Sequence, residues 1–369
     1  MKNTILSIGY KIYKIKEDIM AKLFLKSPSI NNPKTKRLLI VKTDAIGDYI
    51  LFRNFLKEIK KSKKYKNYEI SLLGNVVWKN IFENLDIKYI DKSTFLDLRA
   101  TYYKGNNYRR QILKEIGEEY FDTIINPTYS RNSIIDILIS KINAKNKITF
   151  LGDNTNMSYF EKPFLDRFYT KLITTKEKFE FNRNKDFFEQ ILRERINITN
   201  PKINIKKKQS NYFVINPGAS VKLKQWAPEN FAEVIDHLVE KYKAKIYIVG
   251  SKTELELDKK VKELSKYKDN IEIKNGGTLT DLLNLIAVSR GVISNETCTP
   301  HMAVALGKRV YCVTGKLGYE RMHPYPNYKE AVYIYPFNLE KMEESKNWYK
   351  NTEGLNLVDA SRLIEKEQF

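Results

Sequence analysis

The sequence predicts an α/β protein built from two Rossmann-like, doubly wound domains facing a cleft. Three observations carry that expectation. Short apolar runs alternate with amphipathic helical stretches along most of the chain. Each half holds a strand that ends in a small-residue turn, Thr43-Asp44-Ala45-Ile46-Gly47-Asp48 in the first and Pro217-Gly218-Ala219-Ser220 in the second. A chain of 369 residues is long for a single hydrophobic core. The expected divisions are an N-terminal helix and connector at 1–36, a first α/β domain at 37–196, a second at 211–345, and a closing helical segment at 346–369 that crosses back towards the first domain.

The N-terminal stretch is periodic. Ile5, Ile8, Ile12, Ile15, Ile19 and Leu23 share one helical face, and Lys11, Lys14 and Lys22 lie off it. Its apolar run is too short for a secretory signal. Such a helix either lies on an anionic membrane surface or packs on its own domain. The first domain then reads as strand 37–42, helix 49–60, strand 68–74, helix 76–85, strand 87–91, a long helical stretch 95–120 broken near Gly105, strand 121–127, helix 132–140, strand 147–151, loop 152–163 and helix 182–195. Residues 197–210, with Pro201 and a lysine run, read as a linker. The second domain reads as strand 212–216, loop 221–226, a helix to 242 opened by Pro228, strand 245–250, helix 253–264, strand 271–273, helix 279–289, strand 291–294, polar loop 295–300, helix 301–306 and strand 309–313. Beyond Gly315 the chain turns irregular and aromatic, and a last helix is expected near 355–365.

Composition narrows the function. The hydrophobic share of 42% fits a globular protein, and no apolar run is long enough to span a bilayer. A net charge of +21 favours anionic partners, but the lysines are spread rather than gathered into an aromatic-rich basic face, which argues against nucleic acid. Two cysteines, Cys298 and Cys312, and three scattered histidines form no metal spacing and indicate no disulfide. A reducing cytoplasm is the expected location, with the inner face of the plasma membrane as the place of any peripheral association.

The candidate chemistry sits where strands end. In the second half, Gly218, Ala219 and Ser220 offer backbone N–H groups and a hydroxyl, with Lys222 and Lys224 close behind, a set suited to a diphosphate without a metal. The bland alternative is a pair of solvated lysines. Trp226 either stacks a base or fills the core. Thr278 and Leu279 lie beside another strand end and can border the base. Glu296, Thr297 and His301 stand at the mouth of a helix whose first N–H groups suit a phosphate, although a lone histidine there equally well caps or packs. In the first half, Asp44 and Asp48 crowd the turn after the first strand. Asp48 either caps the helix or serves as a general base. No Asp-x-Asp stands where a divalent metal would be held.

Three blocks taken together resemble glycosyltransferase family 9, whose best-known members are ADP-heptose:lipopolysaccharide heptosyltransferases. They are LLIVKTDAIGDYILFRNFLKEIK at 38–60, INPGASVKLKQWAPENFAEVIDHL at 215–238 and GGTLTDLLNLIAVSRGVISNETCTPHMAVALGKRVYCVTG at 276–315. The resemblance implies a GT-B fold, an inverting mechanism, no metal and no cofactor beyond a nucleotide-sugar co-substrate, expected to be ADP-linked. It implies a general base at Asp48, which follows Gly47. It implies a diphosphate contact at Lys224, assisted by Ser220, and donor contacts at Glu296, Thr297 and His301. The implied acceptor is a phosphorylated glycolipid or glycan such as a lipopolysaccharide core. Two departures stand out. Cys298 replaces a glycine usual in the third block, and Phe52-Arg53-Asn54 replaces the usual Thr-x-Pro, which places Arg53 on the acceptor side. The competing expectations are a nucleotide-sugar epimerase on the same fold and a basic nucleic-acid-binding protein.

Overall fold

The computed structural model describes residues 36–117, 120–205, 208–315, 317–336, 355 and 358–369. The amphipathic stretch read at the N-terminus lies outside them. The chain forms two compact units. The first runs to Ala45 and adds Phe55–Lys176 and Arg183–Ile196; the second comprises Ile46–Asn54, Glu177–Asn182 and everything from Asn197.

The first unit is built on six parallel strands: β1 (Arg37–Val41), β2 (Glu69–Asn75), β3 (Lys92–Leu96), β4 (Phe121–Asn126), β5 (Ala144–Phe150) and β6 (Lys171–Ile173), in the order β3-β2-β1-β4-β5-β6. Parallel sheets are covered on both faces, which is why β1 reads as a nearly unbroken apolar run. One face carries Leu39, Val41, Leu73, Phe121 and Ile124 against Leu138 and Ile139 of the helix Ser133–Lys141. Asn132 starts that helix by accepting the N–H groups of Ile134 and Ile135. Aromatic pairs mark helix packing in the same unit, with Phe150 on Phe187 at 4.4 Å and Phe55 on Phe188 at 5.4 Å.

Several boundaries differ from the sequence reading. Residues 87–91 are not a strand: Ile87–Tyr89 form one tight turn, and Asp91 uses its carboxylate to accept the Ile70 N–H and a Lys60 ammonium before β3 begins. The long helical stretch is two helices, Leu98–Tyr103 and Gly105–Ile116, with Gly105 at φ +62° between them. Strand β6 carries no sequence signal of its own; its three residues pair with Ile148–Phe150 at the sheet edge. The loop read at 152–163 closes with the start of a helix, Glu161–Asp166.

The second unit repeats the plan with β7 (Tyr212–Asn216), β8 (Lys245–Gly250), β9 (Ile271–Asn275), β10 (Gly291–Asn295), β11 (Val310–Val313) and β12 (Ala331–Ile334), all parallel, in the order β12-β11-β10-β7-β8-β9. Pro228 sits in the first turn of the helix Pro228–Tyr242, whose Phe231, Val234, Ile235 and Leu238 recur at helical spacing and are buried. Trp226 is fully buried, edge-on to Phe231, with its indole N–H donated to the Val358 carbonyl at 2.6 Å. It is a core residue and presents no face to a base. The C-terminal stretch is expected from the sequence to be a helix crossing back to the first domain; of its described residues, Leu355, Val358, Ala360 and Leu363 join the apolar cluster of the second unit, and Ser361–Ile364 are α-helical. Phe369 packs on Phe213 and Tyr311 and covers Gly291, where a Cβ would lie 2.0 Å from its ring.

Candidate active site

The loops that leave β7 and β10 are tied to one another by the last residues of their strands. Asn295 donates to the Pro217 carbonyl at 2.6 Å and accepts the Trp226 N–H at 3.1 Å. Asn216 donates to Thr299 Oγ1 at 2.6 Å and accepts the Gly218 N–H at 3.2 Å. The second bond engages one of the backbone N–H groups that the sequence suggested for phosphate. Gly218 lies against the Glu254 carboxylate, which would have to move to admit a Cβ there. Ser220 is exposed on the same turn.

Lys224 and Glu296 meet above these loops. The Lys224 ammonium lies 2.7 Å from Glu296 Oε1. Glu296 Oε2 accepts from Thr314 Oγ1 at 2.9 Å and lies 3.4 Å from His323 Nε2. Burial alone would raise the Glu296 carboxyl, but His323 and Lys224 outweigh it and hold it at about 2, so the side chain is an anion at every physiological pH. His323 Nδ1 bonds the Tyr335 hydroxyl at 3.1 Å, and its ring stacks on Tyr333. The result is a fixed ammonium whose orientation is set by a buried polar network.

Thr297 caps the helix Cys298–Ala305 by accepting the Thr299 N–H at 3.2 Å. This helix starts three residues earlier than the sequence suggested, because Thr297 ends the strand extension and Pro300 is compatible with a first helical turn. His301 is therefore inside it, buried, with Nδ1 at 2.8 Å from the Tyr325 hydroxyl. Burial depresses its pKa to about 4, which keeps the ring neutral. Its other edge faces the helix Ile46–Phe52. A Cβ on Gly47 would lie 3.0 Å from His301 Cδ2, so glycine lets the two helices touch.

Asp48 is the next residue on that helix and is buried. Its Oδ1 lies 3.4 Å from Arg321 Nη2, and the same guanidinium reaches Glu180 Oε2 through Nε at 3.3 Å. The turn that the sequence presents as one acidic pair is divided by the fold. Asp44 stays in the first unit, with its Oδ2 3.0 Å from the fully buried Lys42 ammonium and its carbonyl accepting from Trp78 Nε1. Asp48 goes with the second unit. Arg53 is buried and donates to the Lys202 carbonyl at 2.7 Å, so its guanidinium holds the connector. Thr278 caps the helix Leu279–Val288 in a reciprocal pair with Asp281, which engages its hydroxyl, and Leu279 is half-buried at the first helical position.

The structure thus brings Lys224, Glu296 and Thr297 together, sets His301 against Gly47, and pairs Asp48 with Arg321. Asn216, Asn295, Thr314, Arg321, His323 and Tyr325 were not singled out as site residues by sequence reasoning. A signal was present. Asn216 and Asn295 are polar residues closing apolar strands, and 319–326 concentrates arginine, histidine, tyrosine and proline just past β11. Among the described residues, no three His, Cys, Asp or Glu side chains come together as a metal site.

A family model for glycosyltransferase family 9 (heptosyltransferase) matches residues 109–351, well over half of the chain. The chain belongs to glycosyltransferase family 9. It is therefore a glycosyltransferase, and the matched span holds Lys224, Glu296, Thr297, His301 and Arg321 but not Asp48. No curated protein matches the sequence. Solved structures of the family are similar over nearly the whole chain. E. coli heptosyltransferase WaaC with ADP-2-deoxy-2-fluoro heptose is 16% identical with a TM-score of 0.68, covering 89% of this chain and 99% of that one. WaaC with ADP is 14% identical with a TM-score of 0.70, over 89% and 98%. A family 9 glycosyltransferase from Veillonella parvula is 19% identical with a TM-score of 0.67, over 89% and 95%. At such identities the likeness establishes the fold, which is of the GT-B type.

Proposed function

We propose that this glycosyltransferase transfers heptose from an ADP-sugar to a lipopolysaccharide core or related phosphorylated surface glycan, with inversion at the anomeric carbon and without a bound metal. The observation that carries the reading is the seating of Asp48. Its helix packs through Gly47 on His301, in the same compact unit as the Lys224–Glu296 pair. A carboxylate and a fixed cation in one compact unit are what a displacement at an anomeric carbon needs.

In this mechanism an acceptor hydroxyl gives its proton to the Asp48 carboxylate while its oxygen forms a bond to the anomeric carbon. The bond from that carbon to the diphosphate oxygen breaks, and ADP leaves with the electron pair. Lys224 stabilises the charge that develops on the leaving diphosphate, the larger electrostatic contribution in such a step. Glu296 fixes the ammonium and, with lone pairs left on its oxygens, can accept a sugar or ribose hydroxyl. Ser220 and the first-turn N–H groups after Thr297 complete the diphosphate contacts, and Arg321 orients Asp48. Support for ADP-heptose comes from the heptosyltransferase structures solved with ADP and with its fluoro-heptose derivative. The acceptor class and a place at the inner face of the plasma membrane are supported by the net charge of +21.

Two measurements test the reading. A thermal-shift panel should show ADP stabilising the protein more than UDP or GDP; a preference for another base overturns the donor. Asp48→Asn should lower turnover of ADP-heptose by about 100-fold or more while ADP affinity stays within a factor of two or so. Near-normal turnover would remove Asp48 as the base.

A further inference from the structure

A cavity of about 620 Å³ opens in the first unit where three distant stretches of chain converge: the turn after the helix Asn54–Lys61, the start of the edge strand β6, and the end of the helix Glu180–Leu192. Lys63, Lys64, Lys171 and Arg193 line it, and the wall includes a single carboxylate, Glu194. That carboxylate accepts the Lys63 backbone N–H at 2.8 Å. The Lys64 ammonium donates to the Ile191 carbonyl at 2.9 Å, which satisfies the helix end. The side-chain charges of Lys63, Lys171 and Arg193 have no carboxylate partner within ion-pair distance among the described residues.

Gathering like charges from separate parts of a chain opposes folding. Burial first, and then the nearby Lys171 and Arg193, hold the Lys64 ammonium below the ordinary lysine range. Arg193 ends the helix Glu180–Leu192 in the left-handed region at φ +58°, the same helix ending that Lys243 makes at φ +49°. The positive charge gathered at the cavity is what an anionic ligand would offset. The volume exceeds that of a bare phosphate ion and suits a phosphorylated saccharide or headgroup.

We infer that this cavity is an anion-binding site for a phosphate- or pyrophosphate-bearing ligand, separate from the diphosphate contacts of the second unit. The ligand can be a soluble phosphorylated saccharide or the phosphorylated headgroup of a lipid. Either would bring a dianionic group among Lys63, Lys64, Lys171 and Arg193.

Calorimetric titration of inorganic pyrophosphate into the full chain tests it, in the wild type, in Lys171→Gln/Arg193→Gly and in Lys224→Ala. Glycine at 193 suits the backbone conformation there and so protects the fold. The cavity variant should weaken pyrophosphate at least tenfold while its affinity for ADP is unchanged, and Lys224→Ala should retain a cavity-dependent binding event. Equal pyrophosphate affinity in the wild type and the cavity variant, or loss of all binding in Lys224→Ala, overturns the inference. Sedimentation with phosphatidylglycerol vesicles separates the two sources. Vesicle binding that falls in the cavity variant and is competed by pyrophosphate assigns a lipid headgroup; binding of pyrophosphate without such vesicle binding assigns a soluble ligand.

Discussion

At the residue scale the decisive groups are charged side chains held by other charged side chains. Glu296 titrates at about 2 instead of the ordinary 4.5, so its ion pairs stabilise the fold above the higher value, and that contribution fades as pH falls towards the lower one. The difference corresponds to about 3–4 kcal/mol at most. Glu296→Gln should therefore be less stable than the wild type at neutral pH, and the gap measured by chemical denaturation should close between pH 4.5 and 2. A gap independent of pH would assign the loss to packing. Arg321 makes a second prediction. It touches Asp48 and Glu180, so Arg321→Met should lower kcat about 10- to 100-fold through misplacement of the carboxylate, leave ADP affinity unchanged, and be partly rescued by lysine. A matching loss of ADP affinity would place Arg321 in the donor site instead.

At the scale of elements, one contact seats the helix that carries Asp48. The segment Ile46–Phe52 meets the helix Cys298–Ala305 where Gly47 leaves room for the His301 ring, and that ring is anchored by Tyr325. Alanine in a helix is normally worth up to about 1 kcal/mol over glycine. Gly47→Ala should invert that sign and destabilise by about 1–2 kcal/mol in urea unfolding, because the added methyl strikes a ring that cannot swing away. A stabilised variant would show that the helices have slack. The sequence carried part of this picture. Pro228 and the small residues of 303–305 are local signals, and a helix forms at each; the single helix read at 49–60 is instead two, Ile46–Phe52 and Asn54–Lys61, with Gly47 and Asp48 inside the first rather than in a turn before it. The start of the helix at Cys298, the three-residue strand β6 and the tight turn at Ile87–Tyr89 were not legible, since each depends on a partner elsewhere in the chain.

At the scale of the whole molecule, charge and a two-unit plan set how the enzyme meets its partners. A net charge of +21 raises the local concentration of anionic ligands and makes their binding salt-dependent. No helix among the described residues is long and apolar enough to cross a membrane. If the N-terminal stretch is the membrane contact, deleting residues 1–26 should lower co-sedimentation with anionic liposomes several-fold while ADP affinity is retained. Unchanged sedimentation would remove that stretch as the membrane contact.

The sequence by itself determined the α/β class, the two parallel sheets and the strand ends where polar residues gather, because those follow from periodicity and from residues adjacent in the chain. Only the tertiary structure decided which of those residues meet. It divided Asp44 from Asp48, buried Trp226, turned Arg53 towards the connector and delivered Arg321 and His323 to carboxylates far away in sequence. The physical reason is that a salt bridge or a buried hydrogen bond is a property of two groups at a distance of a few ångströms, and no local pattern encodes where the second group will be.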